Sequence, residues 1–211
     1  MKNFLAVDTS GSHLAVVAAK DGKTYSTYIE NCAMRHAVSV MSAVDETLQK
    51  AGLTLAECDF FGAVVGAGSF TGIRIGISAA KGFCLATGKP SLPITSFDVL
   101  AYNAIDSKGK VLCLVDALHD CYYACGYEDG NIVYPPAYLT EEEVLALVQE
   151  GYILRAVGEL PIAEKAQVET ADPVVGLIQA ATALADKNAF AELTALYVRK
   201  SSAELNAEGK N

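Results

Sequence analysis

Gly66-Ala67-Gly68-Ser69-Phe70-Thr71-Gly72-Ile73-Arg74-Ile75-Gly76 is the stretch that decides how this chain is read. The apolar run Phe60 to Val65 leads into it and an apolar helical pattern leads out. A glycine-rich turn therefore joins a predicted buried strand to a predicted helix. Glycine permits positive φ and close approach of two backbones. Ser69 is placed to cap the helix, whose first amides point outward and favour an anion. The turn either holds a phosphate or only seats a helix tightly against a sheet. Its spacing departs from the known phosphate loops. A Walker A loop needs lysine after its last glycine, and none follows Gly72. A GxGxxG reading fails because Thr71 takes the last place, and the turn follows the fourth predicted strand, not the first. Tight seating is thus the favoured account of Gly66, Gly68, Gly72 and Gly76.

Upstream, Phe4 to Thr9, His13 to Ala19 and Thr24 to Ile29 read as strands, with Gly11 and Asp21-Gly22 at the turns. Ala33 to Ala51 reads as a helix that Gly52 ends. Downstream, Thr71 to Ala86 is the second helix, Leu92 to Thr95 a short strand, and Ser96 opens a third helix. A second series follows: strands at Lys110 to Asp116, Asp120 to Tyr127 and Ile132 to Tyr134, and a helix opened by Thr140 with Glu143 three residues on, a capping-box spacing. Tyr152 to Val157 is then a strand and Pro173 to Asp186 a helix. Both halves read as three strands, helix, strand, helix, a repeat of architecture without a residue-level repeat. Two lobes are expected, residues 1–105 and 106–211, with a polar, mobile tail after Arg199.

The whole chain sets outer bounds. With 211 residues, 52% hydrophobic and 19% charged, it has a globular composition. No apolar run approaches the roughly 20 residues that cross a bilayer, and the N-terminus turns polar too early for a signal peptide. A cytoplasmic protein without membrane attachment is expected. The formal net charge of -9 leaves little basic surface for holding nucleic acid alone. The six cysteines show no close CxxC pair. Cys121 and Cys125 sit four steps apart on a predicted strand, about 13 Å, which is too far for a disulfide. Reduced thiols follow.

The second helix is apolar nearly all round. Its long polar side chains are Arg74 and Lys81, with Ser78 between them on one narrow stripe. A helix that packs on a sheet buries one face, so this one needs a second cover. Another element of the same chain or a partner subunit supplies it.

With these elements in place, Ala63-Val64-Val65-Gly66-Ala67-Gly68-Ser69-Phe70-Thr71-Gly72-Ile73-Arg74-Ile75-Gly76 resembles the signature of the bacterial TsaB (YeaZ) family. Leu5 to Ser10, Leu112 to Ala117 and Leu196 to Arg199 resemble its opening strand, the opening of its second lobe and its ending. Two positions depart from the family pattern: Ala67 stands where proline is usual, and Leu118 where arginine is usual. The resemblance implies an α/β, actin-like, duplicated ribonuclease-H-type fold. It implies a non-catalytic subunit that pairs with a TsaD-like catalytic subunit and, with a TsaE-like ATPase, supports transfer of a threonylcarbamoyl group to the adenosine beside the anticodon of tRNA. The tRNA is engaged only through that complex, and the chain alone forms a homodimer. In the family the N-terminal lobes pair through their first two helices. That pairing makes Met34, Val38 and Met41 of the first helix and Ile73, Arg74, Ile77 and Lys81 of the second the candidate partner-binding residues.

The chemistry-bearing residues are few. His13, His36 and His119 show no HExxH spacing and no three-ligand cluster, so no metal is expected. No GxSxG elbow occurs. In an actin-like fold, Asp8, Thr9, Ser10 and Asp116 fall where phosphate loops would lie, beside Gly66, Gly68 and Ser69. They are candidates for a vestigial phosphate site, and the bland reading of both aspartates is a strand-end turn cap. No resident cofactor is expected, with weak ATP or ADP binding at a subunit interface left open. The alternative function is a small-molecule kinase or ATPase of the same fold.

Overall fold

The alternating apolar runs form two five-stranded mixed sheets in a computed structural model that describes residues 1–104 and 109–199. In the first sheet, β1 (Phe4–Asp8) pairs antiparallel with β2 (Leu14–Lys20), which pairs antiparallel with β3 (Lys23–Ile29). On its other side β1 runs parallel to β4 (Phe60–Val64), and β4 runs parallel to β5 (Ser91–Ile94). The second sheet repeats this plan. Its β6 (Lys110–Asp116) pairs antiparallel with β7 (Cys121–Glu128), which pairs antiparallel with β8 (Asn131–Thr140). There β6 runs parallel to β9 (Ile153–Ala156), and β9 runs parallel to β10 (Val168–Thr170). The orders β3-β2-β1-β4-β5 and β8-β7-β6-β9-β10 correspond strand for strand. This is the duplicated actin-like, ribonuclease-H-type α/β fold.

Helices α1 (His36–Ala51) and α2 (Phe70–Thr87) lie side by side on one face of the first sheet, where Val40, Val44, Ile73 and Phe83 join Leu5, Val16 and Phe61 in one core. Helix α4 (Glu141–Gln149) covers one face of the second sheet. Helix α3 (Ser96–Ala101) fills the space between sheets, packing Phe97 and Leu100 against Cys113, Cys125 and Tyr127. Its boundary follows from a capping box: Thr95 Oγ1 accepts from the Asp98 amide at 2.9 Å, and Asp98 Oδ2 accepts from the Thr95 amide at 2.8 Å. The same device, Thr140 with Glu143, opens α4 where its spacing predicts.

Several boundaries differ from the sequence reading. Helix α1 starts at His36, not Ala33, because the Arg35 amide donates to Cys32 O at 2.7 Å and closes a turn first. Strand β8 runs past Pro135-Pro136 to Thr140, which an edge strand tolerates because it has an unpaired side. Strand β10, three residues long on the opposite edge, carries no apolar alternation to announce it. The expected grouping of residues 106–211 into one lobe is corrected by α5 (Pro173–Asp186). Its Leu177, Ala180 and Ala181 pack on Phe4, Ala15 and Phe60, so it covers the second face of the first sheet. The segment after it returns to that sheet as well, with Leu193 fully buried beside α2. All six cysteines are free thiols, and Cys121 and Cys125 lie on β7 as expected. The residue 105/106 boundary and the tail beyond Arg199 lie outside the described residues.

Candidate functional site

The glycine turn is built by contact with the end of β1. A Cβ on Gly72 would sit 2.0 Å from Thr9 O, one on Gly68 2.3 Å from Ser10 O, and one on Gly76 2.6 Å from Thr9 Oγ1. Gly66 meets Leu196 O in the same way, at 2.5 Å. Only glycine lets the first two turns of α2 approach β1 this closely. Thr9 Oγ1 donates to Gly72 O at 2.7 Å, and the Ser69 amide donates to Ser10 O at 2.7 Å. Ser69 Oγ caps the helix by accepting from the Gly72 amide at 3.2 Å. Two amides that a phosphate would use are thus engaged within the chain, and close seating accounts for all four glycines.

The two strand-end aspartates occupy equivalent places in the two sheets. Asp8 Oδ1 accepts from the Ser10 amide at 2.8 Å and from Ser10 Oγ at 2.7 Å. Asp116 Oδ1 accepts from the Leu118 amide at 2.8 Å. Both therefore cap turns. They differ in burial: Asp8 is buried and Asp116 exposed. The buried one has a partner that sequence reasoning missed, since Asp8 Oδ2 lies 3.2 Å from His13 Nε2. The available signal was an Asp closing one strand and a His opening the next across a short hairpin. Burial works to raise the Asp8 carboxyl, but the His13 hydrogen bond and charge, with Ser10, hold it below its ordinary value. Burial likewise works to lower His13, and the bond and charge of Asp8 outweigh it, so the imidazole keeps its proton above its ordinary value. The Tyr28 ring stacks on His13 at 5.7 Å.

Between the sheets, these groups line a cleft of about 600 Å³. Asp8, Ser10, His13 and Ser96 face it from the first sheet and α3, and Asp116 and Glu159 from the second. No lysine or arginine lines it among the described residues. Leu118, which also lines the cleft, opens a run of three successive left-handed residues, Leu118 (φ 64°), His119 (φ 55°) and Asp120 (φ 54°). Such residues are uncommon away from glycine.

The candidate partner-binding residues divide sharply. Met34 is 98% exposed, Val38 75% and Met41 49%, forming an apolar stripe that starts in the turn before α1 and continues along the helix. Ile73 and Ile77 are corrected: at 1% and 8% exposure they belong to the core over the first sheet, because α2 turns that side toward β1 and β4. Arg74 is exposed but engaged within the chain. Its guanidinium carbon lies 3.8 Å from the Phe70 ring centroid, and its Nε donates to Tyr197 Oη at 3.0 Å. Phe70 and Tyr197 stack at 4.8 Å. Lys81 pairs with Glu192 at 3.1 Å. The returning segment thus supplies part of the second cover that α2 needed, leaving Leu85 89% exposed near its C-terminus. Among the described residues no cluster of three metal-binding side chains occurs, and no helix is long and apolar enough to cross a membrane.

Comparison with known proteins follows the same lines. The family model of TsaD, tRNA N6-adenosine threonylcarbamoyltransferase, matches residues 28–202. The tRNA threonylcarbamoyladenosine biosynthesis protein TsaB of Escherichia coli (strain K12) is 30% identical over 131 residues, which cover 61% of this chain and 56% of that protein. The TsaB of Bacillus subtilis (strain 168) is 28% identical over 128 residues, with the same shares. The chain thus spans a little over half the length of these curated relatives. An uncharacterized protein of Mycobacterium bovis is 30% identical over 214 residues, 97% of this chain and 95% of that protein. The solved structure of YeaZ from Pseudomonas aeruginosa superposes with a TM-score of 0.81 at 24% identity, covering 93% of this chain and all of that one, and so shares its fold. By its glycine-rich turn, its doubled sheet and these relatives, the chain belongs to the TsaB (YeaZ) family of TsaD-like proteins.

Proposed function

We propose that this chain is a non-catalytic scaffold and activator subunit in tRNA threonylcarbamoyladenosine biosynthesis. It docks a TsaD-like catalytic subunit and, with a TsaE-like ATPase, supports modification of the adenosine beside the anticodon. The observation that carries this reading is the uncovered stripe of Val38 and Met41 on α1, with Met34 in the turn just ahead of it. A contiguous row of large, exposed apolar side chains marks a protein interface. Methionine also suits such a surface, being flexible and polarizable. The relatives named for this biosynthesis support the context, and the match to the TsaD family model supports a partner of related fold, with which pairing of like lobes is geometrically natural.

The site chemistry agrees with an association role. A polyphosphate between the sheets would meet Asp116 and Glu159 with no arginine or lysine on the described walls to offset them. The chain's charge of -9 supports a reading in which a partner contacts the tRNA.

The test is a reconstituted threonylcarbamoylation assay with the TsaD-like and TsaE-like partners present and this chain added or omitted. Product should form only with the chain, and Met34→Asp should remove both product and co-purification while leaving the thermal unfolding of the isolated chain in place. Full product without the chain, or unchanged co-purification of Met34→Asp together with Val38→Asp, overturns the reading.

A further inference from the structure

The cleft between the sheets has a use that docking leaves unassigned. Its volume of about 600 Å³ falls within the range of ordinary small-molecule sites. Its two walls carry different chemistry. On one, His13 is 7% exposed, with Nε2 held by Asp8 Oδ2 at 3.2 Å. Its other ring nitrogen, Nδ1, makes no hydrogen bond within the described residues, although the residue lines the cavity. On the opposite wall stand Asp116 and Glu159. Asp116 spends Oδ1 on the Leu118 amide, and neither carboxylate forms an ion pair among the described residues. Val99, Leu100, Leu114 and Leu160 give the space between an apolar lining.

Two carboxylates that form no ion pair among the described residues, set across an apolar gap from a buried imidazole, call for a ligand of matching polarity. A polyphosphate meets repulsion there, and a purely apolar molecule would leave His13 Nδ1 desolvated and unbonded. We propose that the cleft binds a small organic ammonium compound with a hydrogen-bond acceptor a few bonds away: the ammonium sits against Asp116 and Glu159, and the acceptor takes the His13 Nδ1 proton. An α-amino acid and an α-amino amide share this chemistry, one with a carboxylate acceptor and the other with a carbonyl. The Asp8 carboxylate beside Nε2 holds the imidazole above its ordinary value, and in the protonated form both of its nitrogens donate. Ser10 and Ser96, whose hydroxyls lie 3.2 Å apart on the same wall, extend the polar side of the site. The ligand's carbon frame rests on the leucines and Val99.

The experiment needs only the full chain and no partner. Amide and imidazole NMR shifts are followed during titration with the common L-α-amino acids, their α-amides, their N-acetyl derivatives and pyrophosphate. At least one amino acid or amide should bind, with shifts at Ser10, His13 and Ser96. Comparison of the carboxylate and amide series identifies the acceptor. N-acetylation, which removes the ammonium charge, should abolish binding. Asp116→Asn combined with Glu159→Gln should weaken it by about tenfold or more, since one good charged contact is worth at least that factor. Both positions are exposed, and asparagine preserves the oxygen that accepts from Leu118, so the variant keeps the fold. His13→Gln gives a second, independent loss. The proposal is overturned if no amino acid or amide binds at millimolar concentration, if N-acetyl derivatives or pyrophosphate bind as tightly, or if the double variant binds unchanged.

Discussion

Helices α1 and α2 lie next to each other on the same face of the same sheet, and they solve the burial problem in opposite ways. By composition α2 is the greasier, with three isoleucines, two phenylalanines and few polar residues. Yet Ile73, Ile77, Ala80 and Phe83 are buried, and Arg74 and Lys81 are tied down by Tyr197 and Glu192. By composition α1 is an ordinary amphipathic helix with Asp45, Glu46, Gln49 and Lys50 on its surface. It is nevertheless the one that leaves Val38 and Met41 in water, with Met34 just ahead of it. Apolarity within one helix therefore does not locate an interface. What matters is where the remaining chain goes, and here residues more than 100 positions away in sequence close over one helix and pass by the other.

The comparison can be broken at its strongest point first. Gly72→Val should cost about 4 kcal/mol or abolish folding, because any Cβ there meets Thr9 O at 2.0 Å and α2 must lift from β1. Urea denaturation measures it, and a loss below about 1 kcal/mol would mean that the seat is adjustable after all. Leu193→Ala should cost about 3 kcal/mol in the same measurement, as a fully buried leucine does, and should speed amide exchange in α2 more than in α1. Equal acceleration in the two helices would show that the returning segment is not the specific cover of α2. Val38→Asp should weaken partner docking by about 2 kcal/mol while changing stability by no more than about 0.5 kcal/mol. Leu85→Asp, made alongside, tells whether the exposed end of α2 shares the interface.

The cleft offers a smaller, pH-dependent effect. His13 titrates above its ordinary value in the folded state, so its contribution to stability is complete below about pH 6.5 and fades as pH rises through the folded value. Asp8 titrates below its ordinary value, so its contribution is complete above about pH 3.9 and fades as pH falls through the folded value. Thermal unfolding across pH should show His13→Gln flattening the alkaline side of the profile and Asp8→Asn the acid side. The smallest effect belongs to Lys81→Ala. Its pair with Glu192 is largely solvent-exposed, and its loss should move stability by no more than about 0.5 kcal/mol.

Much of this architecture was legible in the residues. The strand β6, the glycine stops of α1 and α2 and the Thr140 capping box follow from local chemistry and stand where that chemistry puts them. Signals that depend on distant chain were not legible. Ile73 and Ile77 have helical spacing that suits a core or an interface equally, and only the sheet beneath decides between them. Leu193 and Leu196 sit in a stretch without period, so nothing local marks them as the lid on α2. The placement of α5 on the first sheet is likewise a matter of topology, not of its own pattern. At the site, the turn-capping roles of Asp8 and Asp116 were readable from their strand-end positions, whereas the Asp8–His13 pair needed the hairpin to fold back before it existed.

The hairpin that carries His13 is also stitched to the start of α1. The Cys32 amide donates to Ser12 O at 2.6 Å, and buried His36, the first residue of the helix, bonds His13 O through Nε2 at 2.8 Å. The mouth of the cleft and the methionine stripe thus share a common mounting. Thermodynamic reciprocity then gives a quantitative rule: whatever factor an occupant of the cleft imposes on the grip of α1 for another protein, that protein must impose on the occupant, and titrating from either end must return the same ratio.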